Sequence, residues 1–328
     1  MSIPKTMRAL LQPDTQETRL IQTTLDIPTP APNTDEHLIR VHCVSPCANE
    51  LNWLKYFPPP KPRTQIPCYD IAGTVVKSPD NSPFSVGDEV YARTNYVRPG
   101  CASDYTIAVT DELAHRPKKL SWVESTAVPL SAQTAWQALF VQSGIGDFGS
   151  AEWKGKRVLV TAASGGVGIW VTQIASVIGA TVIGTCGSRN VDFVKGLGAS
   201  EVIDYRKTDL RKWAQEPGNQ VDVVVDCVGG GSLADAWWCM KDGGVLVSIF
   251  QPPEQVRPEG LEKSVKSLFF VMDPKREHLE AITELVEMGK CRPVVDSIWP
   301  LELFEEAFAR LDGGHARGKI IFDLSLNQ

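Results

Sequence analysis

The stretch from Arg157 to Ala175 constrains the fold of this chain more than any other part of the sequence. An apolar, β-rich run breaks into a turn of small residues with the spacing Ala-x-x-Gly-x-x-Gly and continues with a helical pattern. Gly165 and Gly166 let backbone N–H groups approach a phosphate, and Gly168 lets the helix lie close to the strand. Such a turn also occurs as an ordinary strand-to-helix connection. Its surroundings must decide between the two interpretations.

The sequence after this turn alternates between strands and helices. The predicted strands lie at 181–185, 201–205, 221–227 and 244–250, and the predicted helices between them lie at 191–197 and 233–240. Repeated βα units of this spacing require a parallel, doubly wound sheet. In that setting the turn predicts a phosphate loop that binds a dinucleotide. Its candidate cofactor-binding residues are Ser164, Gly165, Gly166 and Val167.

The two flanks of this region have a different character. The first third is rich in short β-like runs punctuated by glycine and proline, and a helical pattern follows at 121–140, where Ser121 and Glu124 can form a capping box. The last part contains an amphipathic helix at 275–288 and a closing strand at 319–322. At 328 residues the chain exceeds the usual single core. We expect domain segments at 1–122, 123–272 and 273–328.

Composition and charge narrow the classes of function. A net charge of −6 offers no basic surface for a nucleic-acid backbone, and no apolar run reaches membrane-spanning length. The N-terminus lacks a basic, apolar, cleavable signal, so we expect a cytoplasmic protein. The eight cysteines are scattered, which predicts reduced, mostly buried thiols. We expect a small-molecule substrate, with neither nucleic acid nor membrane as a partner, and we also consider a homodimer.

The residues after the second strand of the βα series bear on the choice of nicotinamide cofactor. An acidic residue there binds the ribose 2′-hydroxyl of NADH, whereas an arginine accommodates the 2′-phosphate of NADPH. This chain reads Cys186-Gly187-Ser188-Arg189-Asn190 at that place, without a carboxylate. Ser188 and Arg189 supply a hydroxyl and a guanidinium for a phosphate. We therefore predict NADPH.

Several longer motifs allow a family to be named. In addition to the phosphate loop, they lie at Phe84–Tyr91, Ala127–Trp136, Gly198–Tyr205 and Gly314–Ile320. With these motifs, nearly the whole chain resembles the medium-chain dehydrogenase/reductase superfamily. Within it, the chain resembles the zinc-independent quinone oxidoreductase and enoyl reductase branch, especially its fungal members. The resemblance implies an α/β fold in which a GroES-like β-barrel domain is interrupted by a Rossmann domain and completed by the C-terminal segment.

The resemblance also implies where the cofactor lies. The nicotinamide ring would lie in the cleft between the domains, near Thr134 and the loops after Cys227 and Phe250, with Phe270 on one side. Tyr205 corresponds to a position near the adenosine phosphate. Each of these residues has an alternative role in packing, Phe270 most of all, because an aromatic side chain on a strand is usually part of the core.

The positions of zinc ligands in metal-dependent relatives argue against a metal in this chain. Such relatives take ligands from a Cys, from the His of a Gly-His-Glu motif and from a further Cys or Asp, and they carry a four-Cys lobe. Cys47 lies near the first position, but Cys68-Tyr69-Asp70 replaces Gly-His-Glu, and the four-Cys run is absent. Tyrosine is a poor zinc ligand, and catalytic zinc needs three converging protein ligands. We therefore expect no metal site.

Without a metal, the expected reaction is hydride transfer from NADPH to an electron-poor carbon, followed by delivery of a proton. Quinones, enones and enoyl thioesters accept hydride in this way. Tyr56 lies two residues from the place where enoyl-thioester reductases carry a catalytic tyrosine, and Tyr69 replaces the zinc-binding His, so both are candidate proton donors. The leading hypothesis is an NADPH-dependent quinone or alkene reductase. The alternatives are a trans-acting enoyl reductase of a specialised-metabolite pathway and a non-catalytic NADPH-binding sensor.

Overall fold

A computed structural model describes residues 3–326, and the chain divides into two units. Unit 1 combines the N-terminal segment up to Gln133 with the C-terminal segment from Asp273, and unit 2 is Thr134–Met272. Each unit is built around its own cluster of buried apolar side chains. Within the described residues, the helices are too short or too polar to cross a bilayer.

Short strands dominate unit 1, whereas strands and helices alternate in unit 2. The strands are β1 (Thr6–Leu11), β2 (Ile21–Asp26), β3 (Glu36–Ser45), β4 (Asp70–Lys77), β5 (Glu89–Arg93), β6 (Tyr105–Val109), β7 (Leu113–His115), β8 (Arg157–Val160), β9 (Thr181–Cys186), β10 (Glu201–Asp204), β11 (Val221–Asp226), β12 (Met240–Ser248), β13 (Lys266–Phe269), β14 (Val295–Trp299) and β15 (Lys319–Asp323). The helices are α1 (Trp53–Tyr56), α2 (Trp122–Thr126), α3 (Pro129–Trp136), α4 (Gly166–Val177), α5 (Val191–Gly196), α6 (Leu210–Gln215), α7 (Gly230–Trp238), α8 (Arg276–Glu287) and α9 (Phe304–Asp312).

The main sheet of unit 1 is largely antiparallel. Its strand order is β14-β15-β3-β4-β5-β7, with β6 paired to β3 and with β14 and β15 parallel to each other. β15, near the C-terminus, pairs with β3, so that Phe322 lies opposite Val44. The C-terminal segment therefore completes a sheet that the N-terminal segment begins.

The sheet of unit 2 is parallel and has the order β10-β9-β8-β11-β12-β13. Val223, Val224 and Val225 of β11 are all fully buried, as expected for a strand covered on both faces. The strand order reverses between β8 and β11, and ligands of doubly wound folds bind in the crevice outside the strand ends at such a switch point. The predicted parallel, doubly wound sheet is confirmed.

The region after residue 120 differs from its prediction. The capping box is present, because the Glu124 N–H donates to Ser121 Oγ at 3.2 Å and the Ser121 N–H donates to Glu124 Oε2 at 2.9 Å. The helical pattern expected at 121–140 is divided into α2 and α3, and α3 continues directly into a π-helical turn at Gln137–Gln142. Pro129 lacks an N–H group and is suited to the first turn of a new helix, so it opens α3.

Helix α2 packs against the sheet of unit 1. Trp122 and Val123 pack against a small cluster of buried side chains that includes Cys43 of β3 and Ile321 of β15. These contacts join α2 to the sheet of unit 1, and the division between the units comes after Gln133. The second division lies after Met272.

Candidate functional site

The phosphate loop, residues 162–168, lies between β8 and α4 in unit 2. α4 begins at Gly166, and no side chain of the described residues caps its first turn. Ala162 has a φ of 49°, in the left-handed region. A Cβ atom at Gly168 would lie 2.2 Å from the carbonyl oxygen of Ala162, so only glycine fits there without a shift of the backbone. The loop therefore offers backbone N–H donors at the positive end of a helix, which fits the pyrophosphate of a dinucleotide.

A carboxylate lies beside the end of β9, although β9 itself supplies none. The Ser188 hydroxyl donates to Asp204 Oδ2 at 2.6 Å. Asp204 ends the neighbouring strand β10, where it pairs in register with Cys186. The hydrogen bond from Ser188 helps to hold the pKa of Asp204 below its ordinary value. The acid therefore lies on the adjacent strand β10, whereas the carboxylate that binds a ribose usually ends the strand that β9 represents.

Positive charge nevertheless exceeds negative charge at this place. Arg189 is exposed on the turn after β9, and Arg206 and Lys207 are exposed directly after β10. The Arg206 backbone N–H donates to Asp204 Oδ1 at 3.1 Å, and Lys207 Nζ lies 3.7 Å from Asp204 Oδ2. The ends of β9 and β10 thus carry three cationic side chains against one carboxylate, which suits a phosphate better than a hydroxyl.

Further contacts join the end of β9 to the phosphate loop and to Tyr205. Asn190 Nδ2 donates to Ser164 Oγ at 3.0 Å. Tyr205 is 57% exposed, and a Cβ atom at Gly187 would lie 3.2 Å from its hydroxyl oxygen, so the ring packs over glycine backbone. The structure therefore brings Ser164, Ser188 and Tyr205 to one edge of the sheet, as a site for the adenosine half of a dinucleotide requires.

The other predicted cofactor residues follow neighbouring strands. Cys227 follows β11, Phe250 lies just beyond β12, and Phe270 follows β13. Phe250 is largely exposed and lies against Gly229, where a Cβ atom would come within 2.3 Å of its ring. Phe270 is buried, and so is Thr134 within α3. β8, β11, β12 and β13 are successive strands of a parallel sheet. Cys227, Phe250 and Phe270 therefore lie at the same edge of the sheet as the phosphate loop.

The two candidate proton donors, both in unit 1, have opposite environments. Tyr56 ends α1 and is 70% exposed, whereas Tyr69 is 5% exposed. The Tyr69 hydroxyl oxygen accepts an N–H of Arg63 at 2.7 Å, and its ring stacks on Trp53 with centroids 5.8 Å apart. Burial raises the pKa of Tyr69 to about 12, so the phenol keeps its proton at neutral pH. Arg63 would stabilise the phenolate that remains after Tyr69 gives up that proton.

A buried ion pair includes Asp70, the last residue of the Cys68-Tyr69-Asp70 stretch that stands in place of Gly-His-Glu. Asp70 Oδ2 lies 3.0 Å from Lys319 Nζ, and both side chains are buried. The other oxygen of Asp70 accepts the Leu130 N–H at 2.7 Å. Burial raises the pKa of Cys47 to about 11, and Lys319, the cation that most opposes this shift, is already paired with Asp70. Among the described residues, His, Cys, Asp and Glu side chains form no group of three that could hold a metal. This donor set does not fit zinc.

The residues that the sequence did not single out are Arg63, Lys319, Asp204 and Asp226, the last of which is the buried final residue of β11. The two acids carry a weak signal, because each is the last residue of an apolar strand in a parallel sheet, where ligand-binding groups gather. The sequence gives no signal for Arg63 and Lys319, because a basic residue that pairs with a buried group looks the same in the sequence as one in solvent.

Comparisons with known proteins agree with this architecture. The family described as the alcohol dehydrogenase GroES-like domain matches residues 33–118, and the family described as zinc-binding dehydrogenase matches residues 197–322. An Arthroderma benhamiae protein named "Probable zinc-binding oxidoreductase, mitochondrial" is 53% identical over 326 residues, which cover 98% of this chain and 97% of the relative. The "Chloroplast envelope quinone oxidoreductase homolog" of Arabidopsis thaliana is 33% identical over 310 residues, which cover 91% of this chain and 93% of that protein.

A solved structure extends the comparison to three dimensions. The quinone oxidoreductase from Coxiella burnetii has a TM-score of 0.81 at 28% identity, over 98% of this chain and 100% of that one. Fold and relatives together define an oxidoreductase with a nicotinamide cofactor, built from a GroES-like domain and a Rossmann-type domain. The chain belongs to the medium-chain dehydrogenase/reductase superfamily, in its zinc-independent quinone oxidoreductase branch. The word zinc in two of the matching names describes that family and that relative, whereas the donor set of this chain does not fit the metal.

The expectation of a cytoplasmic protein is wrong. The Arthroderma relative is named as mitochondrial, and so is the 30% identical "NAD(P)H oxidoreductase RTN4IP1, mitochondrial" of Mus musculus, of which the match covers 69%. The Arabidopsis relative is named for the chloroplast envelope. The expectation relied on the missing secretory signal, and that signal is only one of several kinds of targeting segment, so its absence does not indicate the cytoplasm.

Proposed function

We propose that this protein is a zinc-independent reductase that uses NADPH to pass a hydride to a quinone or to an activated C=C bond. The observation that carries the proposal is the edge of the unit 2 sheet, where the phosphate loop, the cations after β9 and β10 and the loops after β11, β12 and β13 lie together. The quinone oxidoreductases of Arabidopsis and Coxiella, at 33% and 28% identity, support the class of acceptor.

The adenosine half of NADPH is proposed to lie over the ends of β9 and β10. Backbone N–H groups of the phosphate loop bind the pyrophosphate, since the loop supplies uncapped donors at a helix start. Arg189, Arg206 and Lys207 surround the 2′-phosphate, and the exposed ring of Tyr205 flanks the adenosine. Asp204 accepts the hydrogen bond from Ser188, and its single negative charge is smaller than the charge of the three cations. The balance of charge therefore favours NADPH over NADH.

The nicotinamide half is proposed to lie at the other end of the same edge. Cys227, Phe250 and Phe270 follow successive strands there, and Thr134 is proposed to contact the same half of the cofactor. When bound, the cofactor supplies the hydride. The residues of this chain orient the ring and exclude water, and the acceptor then requires a single proton to complete its reduction.

Tyr69 is proposed to deliver that proton. Its hydroxyl is protonated at neutral pH and accepts a hydrogen bond from the Arg63 guanidinium, so the charge left on oxygen after transfer is stabilised at once. Tyr56 is the second candidate, and its exposure leaves the phenol in contact with bulk water, which delivers protons without it. Tyr69 is therefore the preferred donor.

The experiment that tests the function is NADPH oxidation by the purified full chain with a panel of quinones, enones and enoyl thioesters, followed by absorbance, with NADH in parallel. We expect turnover with NADPH that exceeds turnover with NADH. Faster turnover of enoyl thioesters than of quinones would favour the enoyl reductase of a specialised pathway. Tight NADPH binding without turnover of any acceptor would contradict the proposal and support a sensor. Sedimentation of the same preparation tests the homodimer.

A further inference from the structure

Asp226 is a fully buried carboxylate at the last position of β11. It accepts hydrogen bonds from the Thr161 and Ser248 hydroxyls, each at 2.9 Å, and from the Gly229 N–H at 3.0 Å. Thr161 follows β8, and Ser248 ends β12. One carboxylate therefore joins the carboxyl ends of three neighbouring strands. Asp226 is not among the site residues predicted from the sequence.

The two hydroxyls pass the hydrogen bonding on to the loops beyond the strands. Thr161 Oγ1 accepts the Cys227 N–H at 2.8 Å. Ser248 Oγ accepts the Phe250 N–H at 3.2 Å and the Gln251 N–H at 3.3 Å. Because each hydroxyl gives its proton to the carboxylate, its lone pairs face the backbone of a loop. The orientation of both loops thus depends on an acceptor at Asp226.

The position of this hydrogen-bond network in the sheet relates it to cofactor binding. The bond from Thr161 to Asp226 spans the interval between β8 and β11, where the strand order reverses and the ligand crevice of a doubly wound sheet opens. The loops that the network orients carry Cys227 and Phe250, which are proposed to contact the nicotinamide half of the cofactor. The network therefore lies beneath the proposed position of the nicotinamide half. The phosphate loop and the end of β9 lie at the proposed position of the adenosine half.

We propose that Asp226 is a positioning residue that sets the loops after β11 and β12 for the nicotinamide half of NADPH. This inference rests on the proposed function. A carboxylate is required because both of its oxygens accept and neither donates. An amide at this position would direct its NH2 group toward either the Thr161 hydroxyl or the Ser248 hydroxyl, and one loop would lose its hydrogen-bonding pattern. The acid therefore holds two loops in one geometry.

The test is Asp226→Asn in the full chain, with binding measured for two probes. NADPH reports both halves of the site, and adenosine 2′,5′-bisphosphate reports only the adenosine half. We expect the dissociation constant for NADPH to rise about tenfold, the size expected for one lost hydrogen bond to a charged group, and that for the bisphosphate to stay within about twofold. Asp222→Asn is the matched control, because Asp222 lies on the same strand at the opposite edge, where it accepts the Arg157 N–H and Lys241 Nζ. It should leave both constants unchanged.

Two results would overturn the inference. An unchanged affinity for NADPH would show that the loops do not need the acid, and a parallel loss of both probes would show a general structural role. If Asp226→Asn does not fold, Ser248→Ala and Thr161→Val decide by the same comparison, since each removes one arm of the network and keeps the carboxylate. Wild-type protein that binds neither probe would instead contradict the proposed function, and the inference would fall with it.

Discussion

The phosphate loop of unit 2 and the surroundings of Tyr69 in unit 1 carry the proposed chemistry, and they are built in opposite ways. The loop acts through backbone N–H groups of consecutive residues, and glycine is its main requirement. The surroundings of Tyr69 are side chains: Arg63 donates to its hydroxyl, Trp53 stacks on its ring, and the adjacent Asp70 pairs with Lys319 from the C-terminal segment. A site built from backbone groups of consecutive residues can be recognised from a short sequence motif. A site built from polar side chains can be recognised only in the folded structure.

The largest expected effect tests the buried side chains of unit 1. Lys319→Met leaves the Asp70 carboxylate buried without its cation, so we expect the free energy of unfolding to fall by about 4 kcal/mol. Urea denaturation measures the change. The control is Lys241→Met in unit 2, which breaks the partly exposed pair with Asp222 and should cost less than about 1 kcal/mol. Equal losses in the two variants would remove the distinction between a buried and an exposed ion pair in this molecule.

The next effect tests the backbone geometry of the phosphate loop. In Gly168→Ala the new Cβ atom meets the Ala162 carbonyl oxygen at 2.2 Å, and backbone must move to accept it. We expect a loss of about 3 kcal/mol in the free energy of unfolding, together with weaker NADPH binding. In Gly196→Ala, at the end of α5, the added Cβ atom meets no atom within 4 Å, so its stability should stay the same or rise by up to about 1 kcal/mol. A stable Gly168→Ala variant with normal cofactor affinity would refute the close-approach argument.

A smaller effect is expected on turnover when the proposed proton donor is removed. Tyr69→Phe should lower kcat about a hundredfold, or about 2.7 kcal/mol of transition-state stabilisation, and leave the NADPH dissociation constant unchanged. Tyr56→Phe should change kcat by less than about twofold, because that phenol is exposed. With a pKa of about 12, Tyr69 stays protonated as the pH rises, so deprotonation of Tyr69 should cause no loss of turnover below about pH 11. The reverse ranking of the two variants would make Tyr56 the donor.

The smallest effect concerns the choice of cofactor at the end of β9. Arg189→Ala should raise the dissociation constant for NADPH about tenfold and that for NADH by less than about twofold, because only NADPH carries the 2′-phosphate. Lys195→Ala removes an exposed cation from the nearby helix α5 and should affect neither constant. Equal weakening of both cofactors by Arg189→Ala would defeat the assignment of NADPH.

Much of unit 2 was predictable because its signals are local. The apolar runs of its strands, the glycines of the phosphate loop and the helical stretches between strands lie within short windows of sequence, and the parallel sheet follows from their repetition. The capping box of Ser121 and Glu124 was predictable for the same reason. Strand β14 was not, because its residues are only partly buried and include Asp296 and Ser297, so that no alternation of apolar and polar residues marks it.

The amino-acid sequence alone thus determined the doubly wound sheet, the phosphate loop and the family motifs, since each depends on residues that are neighbours along the chain. The tertiary structure alone decided that Asp204 reaches Ser188 from the next strand, that Lys319 neutralises Asp70 and that Asp226 joins three strand ends. The physical reason is that a buried charge or hydroxyl must find its partners among whatever side chains the packing brings near. Those partners lie far away in the sequence, and only the folded chain brings them within hydrogen-bonding distance.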